Sequence, residues 1–185
     1  MILQDTEIRL KDGRTAILRS AREDEADEMR RFVIQACGET DYLMRRPEEY
    51  ADFSVEQERD WLRTMNRDRN ALMIACFIGG RLAGNSQISF GAGIKDGHRA
   101  SVAIALLREF WGLGIGTRMF EELFRAARER GGIRQIELDF IEGNTRARSL
   151  YEKMGFRITG VKPDAIRLKD GTLRNEYSMI RKIAR

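Results

Sequence analysis

Apolar positions recur along this chain with two different periods, and the switches between them mark its elements. Residues 8–10 and 15–19 alternate as short strands around Asp12-Gly13, a strong hairpin turn pair. Over 22–35 an acidic start and apolar Ala26, Met29, Phe32 and Val33 predict an amphipathic helix with negative charge at its positive end. Residues 36–53 are irregular and contain Pro47. Ser54-Val55-Glu56-Gln57 has the form of a capping box and opens a helix to residue 67, with Trp61, Leu62 and Met65 on its buried side. Residues 71–78 and 81–90 flank Gly79-Gly80 and predict a hairpin, 91–97 a loop and 99–107 a further strand. A helix over 119–130 presents Met119, Phe120, Leu123, Ala126 and Ala127 on one face and stops at Gly131-Gly132. A strand over 133–141, a helix from Asn144 to a stop at Gly155, and strands over 156–161 and 173–180 around Asp170-Gly171 complete the order β-β-α-α-β-β-β-α-β-α-β-β.

Between the strand over 99–107 and the helix over 119–130 lie three glycines, Gly112, Gly114 and Gly116. Glycines at a strand-to-helix turn let backbone approach a ligand, and the unpaired N–H groups of the helix start suit an anion such as phosphate. The spacing is not that of a dinucleotide fingerprint, because Thr117 and Met119 stand where its last glycine would fall. Nor does a Lys followed by Ser or Thr close the loop as in a nucleoside-triphosphatase. A tight helix entry is the alternative reading of the glycines alone.

A second stretch, 138–156, reads L-D-F-I-E-G-N-T-R-A-R-S-L-Y-E-K-M-G-F. With it the chain resembles the GNAT superfamily of N-acetyltransferases, which pair a Gln/Arg-x-x-Gly-x-Gly loop with Asn-x-x-Ala-x-x-Leu-Tyr-x-x-x-Gly-Phe. The second motif is complete as Asn144, Ala147, Leu150, Tyr151, Gly155 and Phe156. The first matches at Gly114 and Gly116, with Trp111 where Gln or Arg is usual, which removes one side-chain donor and leaves the backbone donors. The resemblance covers residues 100–156 and is nearest to the ribosomal-protein alanine acetyltransferase-like branch. It implies an α+β fold: a mixed, mostly antiparallel sheet of about seven strands, helices on both faces, and two neighbouring parallel strands that splay apart around the pantetheine arm.

Bulk properties set limits on this reading. A length of 185 residues fits one domain by the usual prior of about 100–200, so 1–185 is read as a single GNAT domain. No apolar run approaches the ~20 residues a membrane span needs and the first residues lack a signal peptide's apolar core, so a cytoplasmic protein is expected, without a membrane partner. Cys37 and Cys76 have no metal-ligand spacing, and no metal is expected. The net charge of +4 is a feature of the tail: residues 157–185 hold eight basic and three acidic residues. Arg181, Lys182 and Arg185 have no interleaved aromatics, so a nucleic-acid platform is not indicated.

Aminolysis of a thioester needs a deprotonated amine, a stabiliser for the carbonyl oxygen and a proton for the departing thiolate. A lysine-like amine has a pKa near ~10.4, so a base or a proton-draining water chain is required. Tyr151 lies seven residues after Asn144, about two helical turns on, which sends both side chains from one helix face. The resemblance implies that Tyr151 protonates the coenzyme A thiolate and that Asn144, besides capping the helix, bonds the pantetheine. It places Asp139, five residues before Asn144, where the ribosomal-protein branch carries a base Glu. Glu142 is the nearby rival, His98 reads as a surface residue, and Ser101 stands where similar sequences often have an acid. The resemblance also implies main-chain contacts to the thioester and pantetheine from Ile104, Ala105 and Leu106, and to the pyrophosphate from Gly112, Leu113, Gly114, Ile115, Gly116 and Thr117. Arg118 or Arg148 would reach the adenosine phosphates. Glu39, Tyr42, Glu176 and Tyr177 are candidates to line the acceptor pocket, the acidic ones suiting a cationic acceptor. The expected activity is acetyl-CoA-dependent N-acetyl transfer to a primary amine of a protein N-terminus, lysine, polyamine or other small molecule, by direct transfer without metal. A non-catalytic coenzyme A or acyl-CoA sensor on the same fold is the alternative, and a homodimer is compatible with the resemblance.

Overall fold

A computed structural model describes residues 1–50 and 52–183. Among the described residues eight strands form one sheet: β1 (Thr6–Arg9), β2 (Thr15–Arg19), β3 (Ala71–Ile78), β4 (Arg81–Phe90), β5 (Arg99–Leu106), β6 (Gln135–Ile141), β7 (Arg157–Arg167) and β8 (Leu173–Lys182). Their spatial order is β1-β2-β3-β4-β5-β6-β8-β7, and every neighbouring pair is antiparallel except β5 with β6. The helices are α1 (Ala26–Gly38), α2 (Val55–Arg67), α3 (Ile115–Arg130) and α4 (Thr145–Lys153), so the element order is the one the hydrophobic pattern predicts.

All eight residues of β3 are buried, the reading of an uninterrupted apolar run covered on both faces. One face meets α1, where Asn85 of β4 reaches the Met29 sulfur and Leu82 N donates to Glu28 at 2.7 Å. The other meets α3 and α4, where Phe120 of α3 packs against Tyr151 and Phe156, and Tyr151 against Phe140 of β6. Phe120, Met119, Leu123, Ile74, Ile88 and Ile136 are fully buried in this second layer, each contributing roughly 1.5–3 kcal/mol.

Element ends depart from the pattern where side chains or special backbone intervene. Residues Glu23–Glu25 form a 3-10 turn ahead of α1, because the Glu25 carboxylate turns back to Arg22 N at 2.7 Å and pairs with Arg19. Helix α3 begins at Ile115, four residues before the predicted start, since Gly114 in the left-handed region serves as its N-cap. Strand β7 continues past Val161 to Arg167 through a register irregularity between Lys162 and Ile166, where Asp164 has φ 51°. Pro163 and that irregularity blunt the outer edge of the sheet. None of the helices among the described residues is long and apolar enough to cross a membrane.

Candidate functional site

Strands β5 and β6 pair only at Arg99–Gln135, Ala100–Ile136 and Ser101–Glu137, and beyond those residues they part. On the far side of β5, Leu107 N donates to Ala83 O at 3.0 Å, which fixes the alternation along the strand. The Ala105 amide therefore points to Asn85 of β4, whereas those of Ile104 and Leu106 point into the gap. The Leu106 carbonyl, also turned to the gap, accepts from Trp111 Nε1 at 2.8 Å. All three strand residues are half-buried.

The glycine turn follows directly. Gly112 and Gly114 have φ of 81° and 90°, a region that disfavours side chains, and bend the chain into α3. The α3 N-terminus has neither a capping side chain nor an acidic residue in its first turn, while α2 has the Ser54–Gln57 capping box and α1 has Asp27 and Glu28. The amides of Ile115, Gly116 and Thr117 precede the first helical bond, Arg118 N to Gly114 O at 3.2 Å, so they stay open to an anion. Gly116 is glycine for another reason: a Cβ there would stand 2.8 Å from Leu150 Cδ2 and 3.5 Å from Ile104 Cδ1. That approach brings α3, α4 and the gap edge of β5 together. Lys153 reaches Thr117 Oγ1 at 3.5 Å, whereas Arg118 and Arg148 are paired on their own helices with Glu121 and Glu152.

Asn144 caps α4, its Oδ1 accepting from Ala147 N at 3.2 Å. Tyr151, two turns on, sits with ring centroids 5.8, 6.0 and 6.2 Å from Phe120, Phe140 and Phe156, and burial pushes its phenol up to about 12. It makes no hydrogen bond among the described residues, and Ser86 Oγ is the one side-chain atom found both sealed and unpartnered among them. The Tyr151 hydroxyl is thus protonated and free to donate.

The other candidates lie on the opposite face or at the β6–α4 turn. Asp139 alternates away from Phe140, is exposed, and accepts from Ser178 Oγ at 2.5 Å. On the same face Lys162 pairs with Glu176 at 2.7 Å. Tyr177, on the Phe140 face, stacks on that ring at 5.3 Å and donates to Glu142 at 3.4 Å. Glu142 also accepts from Asn175 N and Nδ2, each at 3.3 Å. Tyr42 lies over the same turn, its hydroxyl 3.2 Å from where a Gly143 Cβ would be. Glu39 accepts from Arg108 N at 2.6 Å and from Gln35 at 2.8 Å, latching the end of α1 to the glycine turn. His98 is exposed at the closed end of the parallel pair, its carbonyl accepting from Arg134 N at 2.8 Å, and Ser101 is exposed beside it. Asn175 and Arg146 are not among the sequence candidates; the first adjoins Glu176, and the second lies two residues beyond Asn144.

Cys37 and Cys76 are both buried, Cys76 pushed up to about 12 by its surroundings, and no metal-holding group of acids, histidines or cysteines occurs among the described residues. Of the basic tail, Arg181 lies over the Phe124 ring and donates to Met154 O, Lys182 bonds Gln135, and Arg185 is outside the described residues.

The acetyltransferase (GNAT) family profile matches residues 38–156. An N-alpha-acetyltransferase of Sulfurisphaera tokodaii is 34% identical over 64 residues, covering 35% of this chain and 37% of that protein, so the match spans little more than a third of the curated relative. A GNAT-family acetyltransferase from Streptococcus pneumoniae superposes with a TM-score of 0.84 at 24% identity, covering 91% of this chain and 99% of that one. RimL, a ribosomal L7/L12 alpha-N-protein acetyltransferase solved in complex with coenzyme A, superposes with a TM-score of 0.76 at 20% identity over 91% and 94% of the two chains. At these identities the two structures establish a common fold.

Proposed function

The chain belongs to the acetyltransferase (GNAT) family, and from that premise we propose that it transfers an acetyl group from acetyl-CoA directly to a primary amine. The observation that carries the reading is the meeting of three features at Gly116: the parted strands, the uncapped α3 N-terminus, and the helix bearing Tyr151. The residues fit the co-substrate: a glycine cradle and open amides suit a diphosphate, and a gap edge with unpaired amides suits an amide-bearing arm. Bound acetyl-CoA supplies the acyl group and a thiolate leaving group.

The chain's own contribution is positional and electrostatic. The amides of Ile104 and Leu106 hold the carbonyl oxygen from fixed backbone, which needs no reorganisation as charge develops there. Tyr151 donates its proton to the sulfur. Asp139 takes the proton of the incoming amine, through a water where the reach is short. Its place on the sheet face opposite Phe140 and Tyr151 supports that role, because attack and departure then occur on different sides of the carbonyl. Glu142 already accepts three hydrogen bonds from Asn175 and Tyr177 and serves better as a support for the acceptor pocket.

Thiol release from acetyl-CoA with a panel of peptide N-termini, lysine peptides and polyamines tests the activity. Tight coenzyme A binding with no turnover on any amine would leave the sensor in its place. Within an active enzyme, pH–rate profiles of Asp139→Asn and Glu142→Gln assign the base. Loss of the rise of rate with pH in the first, with the second profile unchanged in shape, is expected; the reverse would transfer the role to Glu142.

A further inference from the structure

Trp111 occupies the loop position where the family resemblance calls for a Gln or Arg donor, and its ring is not idle. Its indole N–H is fixed to the Leu106 carbonyl at the edge of the gap. Two guanidinium groups rest on it: Arg108 at 5.6 Å from the ring centroid and Arg146 at 5.0 Å. The two differ in what else they hold. Arg108 donates to the Glu39 carbonyl and is tied into the latch between α1 and the loop. Arg146 is exposed, makes no ion pair and forms no hydrogen bond among the described residues.

Arg146 lies in the first turn of α4, four residues before Leu150, so the two share a helix face. Leu150 is the side chain that closes on Gly116, in the first turn of α3. One turn nearer the α4 start, Arg146 extends from the opposite side of the gap onto Trp111. An unpaired guanidinium is thereby brought beside the bend whose amides are uncapped and whose helix start has no acid. Cation–π attraction holds such a group without neutralising it, which leaves its donors for an anion.

We infer that Arg146, seated on Trp111, is the diphosphate-binding side chain of this chain and supplies the donor that position 111 lacks. The inference rests on the proposed use of acetyl-CoA but concerns binding alone. Trp111 acts here as a positioning residue: it touches Arg146 and the strand edge.

Calorimetry with coenzyme A and with S-acetylpantetheine, which lacks the diphosphate, tests it on the full chain. Arg146→Ala should weaken coenzyme A by about tenfold, the low end expected for losing charge-assisted hydrogen bonds, and leave S-acetylpantetheine within about twofold. Arg146→Lys should restore only part of the affinity, because an ammonium cannot present the planar fork. Trp111→Phe, which keeps an aromatic face, should lose less than Trp111→Ala. Adding Arg146→Ala to Trp111→Ala should cost little further, since the two act as one unit. Coenzyme A affinity unchanged in Arg146→Ala, or equal losses for both ligands, would overturn the assignment. Failure of the unmutated protein to bind coenzyme A is a separate result, which would remove the proposed activity itself.

Discussion

The two walls of the gap between β5 and β6 are built from different materials. Toward α3 and α4 the wall is backbone and hydrocarbon: the amides of Ile104 and Leu106, two left-handed glycines, the close approach at Gly116, and an aromatic cluster around Tyr151. Toward α1 and the β7–β8 hairpin it is polar side chains bonded to one another: Asp139 to Ser178, Lys162 to Glu176, Glu142 to Asn175 and Tyr177, Glu39 to Arg108. The first wall has few alternatives, because each group is held by sterics or by the sheet. On the proposed activity, the second exchanges internal hydrogen bonds for those of an acceptor, and its selectivity then lies in differences between paired states. One wall is preorganised for a ligand of fixed shape and the other is adaptable.

The sharpest way to break this contrast is Tyr151→Phe. The ring stays in its cluster, so packing and acetyl-CoA affinity should hold within about twofold, while kcat for thiol release falls about 100-fold, as for loss of a general acid. A change in KM with kcat intact would mean that Tyr151 binds and does not catalyse, and the preorganised wall would lose its chemistry.

Next in size is Gly84→Ala. Gly84 lies opposite Leu106 on β4, and a Cβ there would come 2.1 Å from Leu106 Cδ2 and 2.8 Å from the Ala105 carbonyl oxygen. The side chain can turn aside, but the carbonyl belongs to the strand that carries the gap amides. Thermal unfolding should fall by roughly 5–10 °C through overpacking, with weaker coenzyme A binding. Gly160→Ala on the outer hairpin is the control: its Cβ would stand 3.9 Å from Ser178 Cβ, and both readouts should stay put. Equal effects at the two positions would show that the gap edge is no more constrained than the periphery.

The same contrast explains what could be read in advance. Hydrophobic period fixed the element order because nearly every helix and strand buries one continuous face, and Asn144 to Phe156 carried its own cap, spacing and stop. The α3 start lies four residues ahead of the one the apolar pattern predicts, since a glycine N-cap leaves no polar signature. The polar wall was legible only as a list of residue types. Glu176 and Tyr177 are neighbours in sequence yet alternate to opposite faces, and Glu39 spends its carboxylate on Arg108. Such pairings join segments from different ends of the chain, and no local pattern encodes them. Trp111 shows the converse: as a missing donor it read as a defect, and only the fold brings Arg146 to it.

The smallest expected effect concerns the support behind the polar wall. Glu58 of α2 is 4% exposed, has no side-chain hydrogen bond among the described residues, and is pushed up to about 7 by burial. A carboxyl raised in the folded state binds its proton more tightly there than in the unfolded chain. Its contribution to stability is therefore fully present below the ordinary carboxylate range near 4.5, is lost as pH rises toward 7, and stays lost above it. Glu58→Gln keeps the shape and removes the titration. At pH 4 the variant and the parent should melt together, and at pH 8 the variant should melt higher by several degrees. Differential scanning calorimetry across that range checks both limbs. A variant that melts lower at pH 8 would mean that the ionised Glu58 is welcomed by a partner, and that the helices behind the adaptable wall are anchored as firmly as those behind the other.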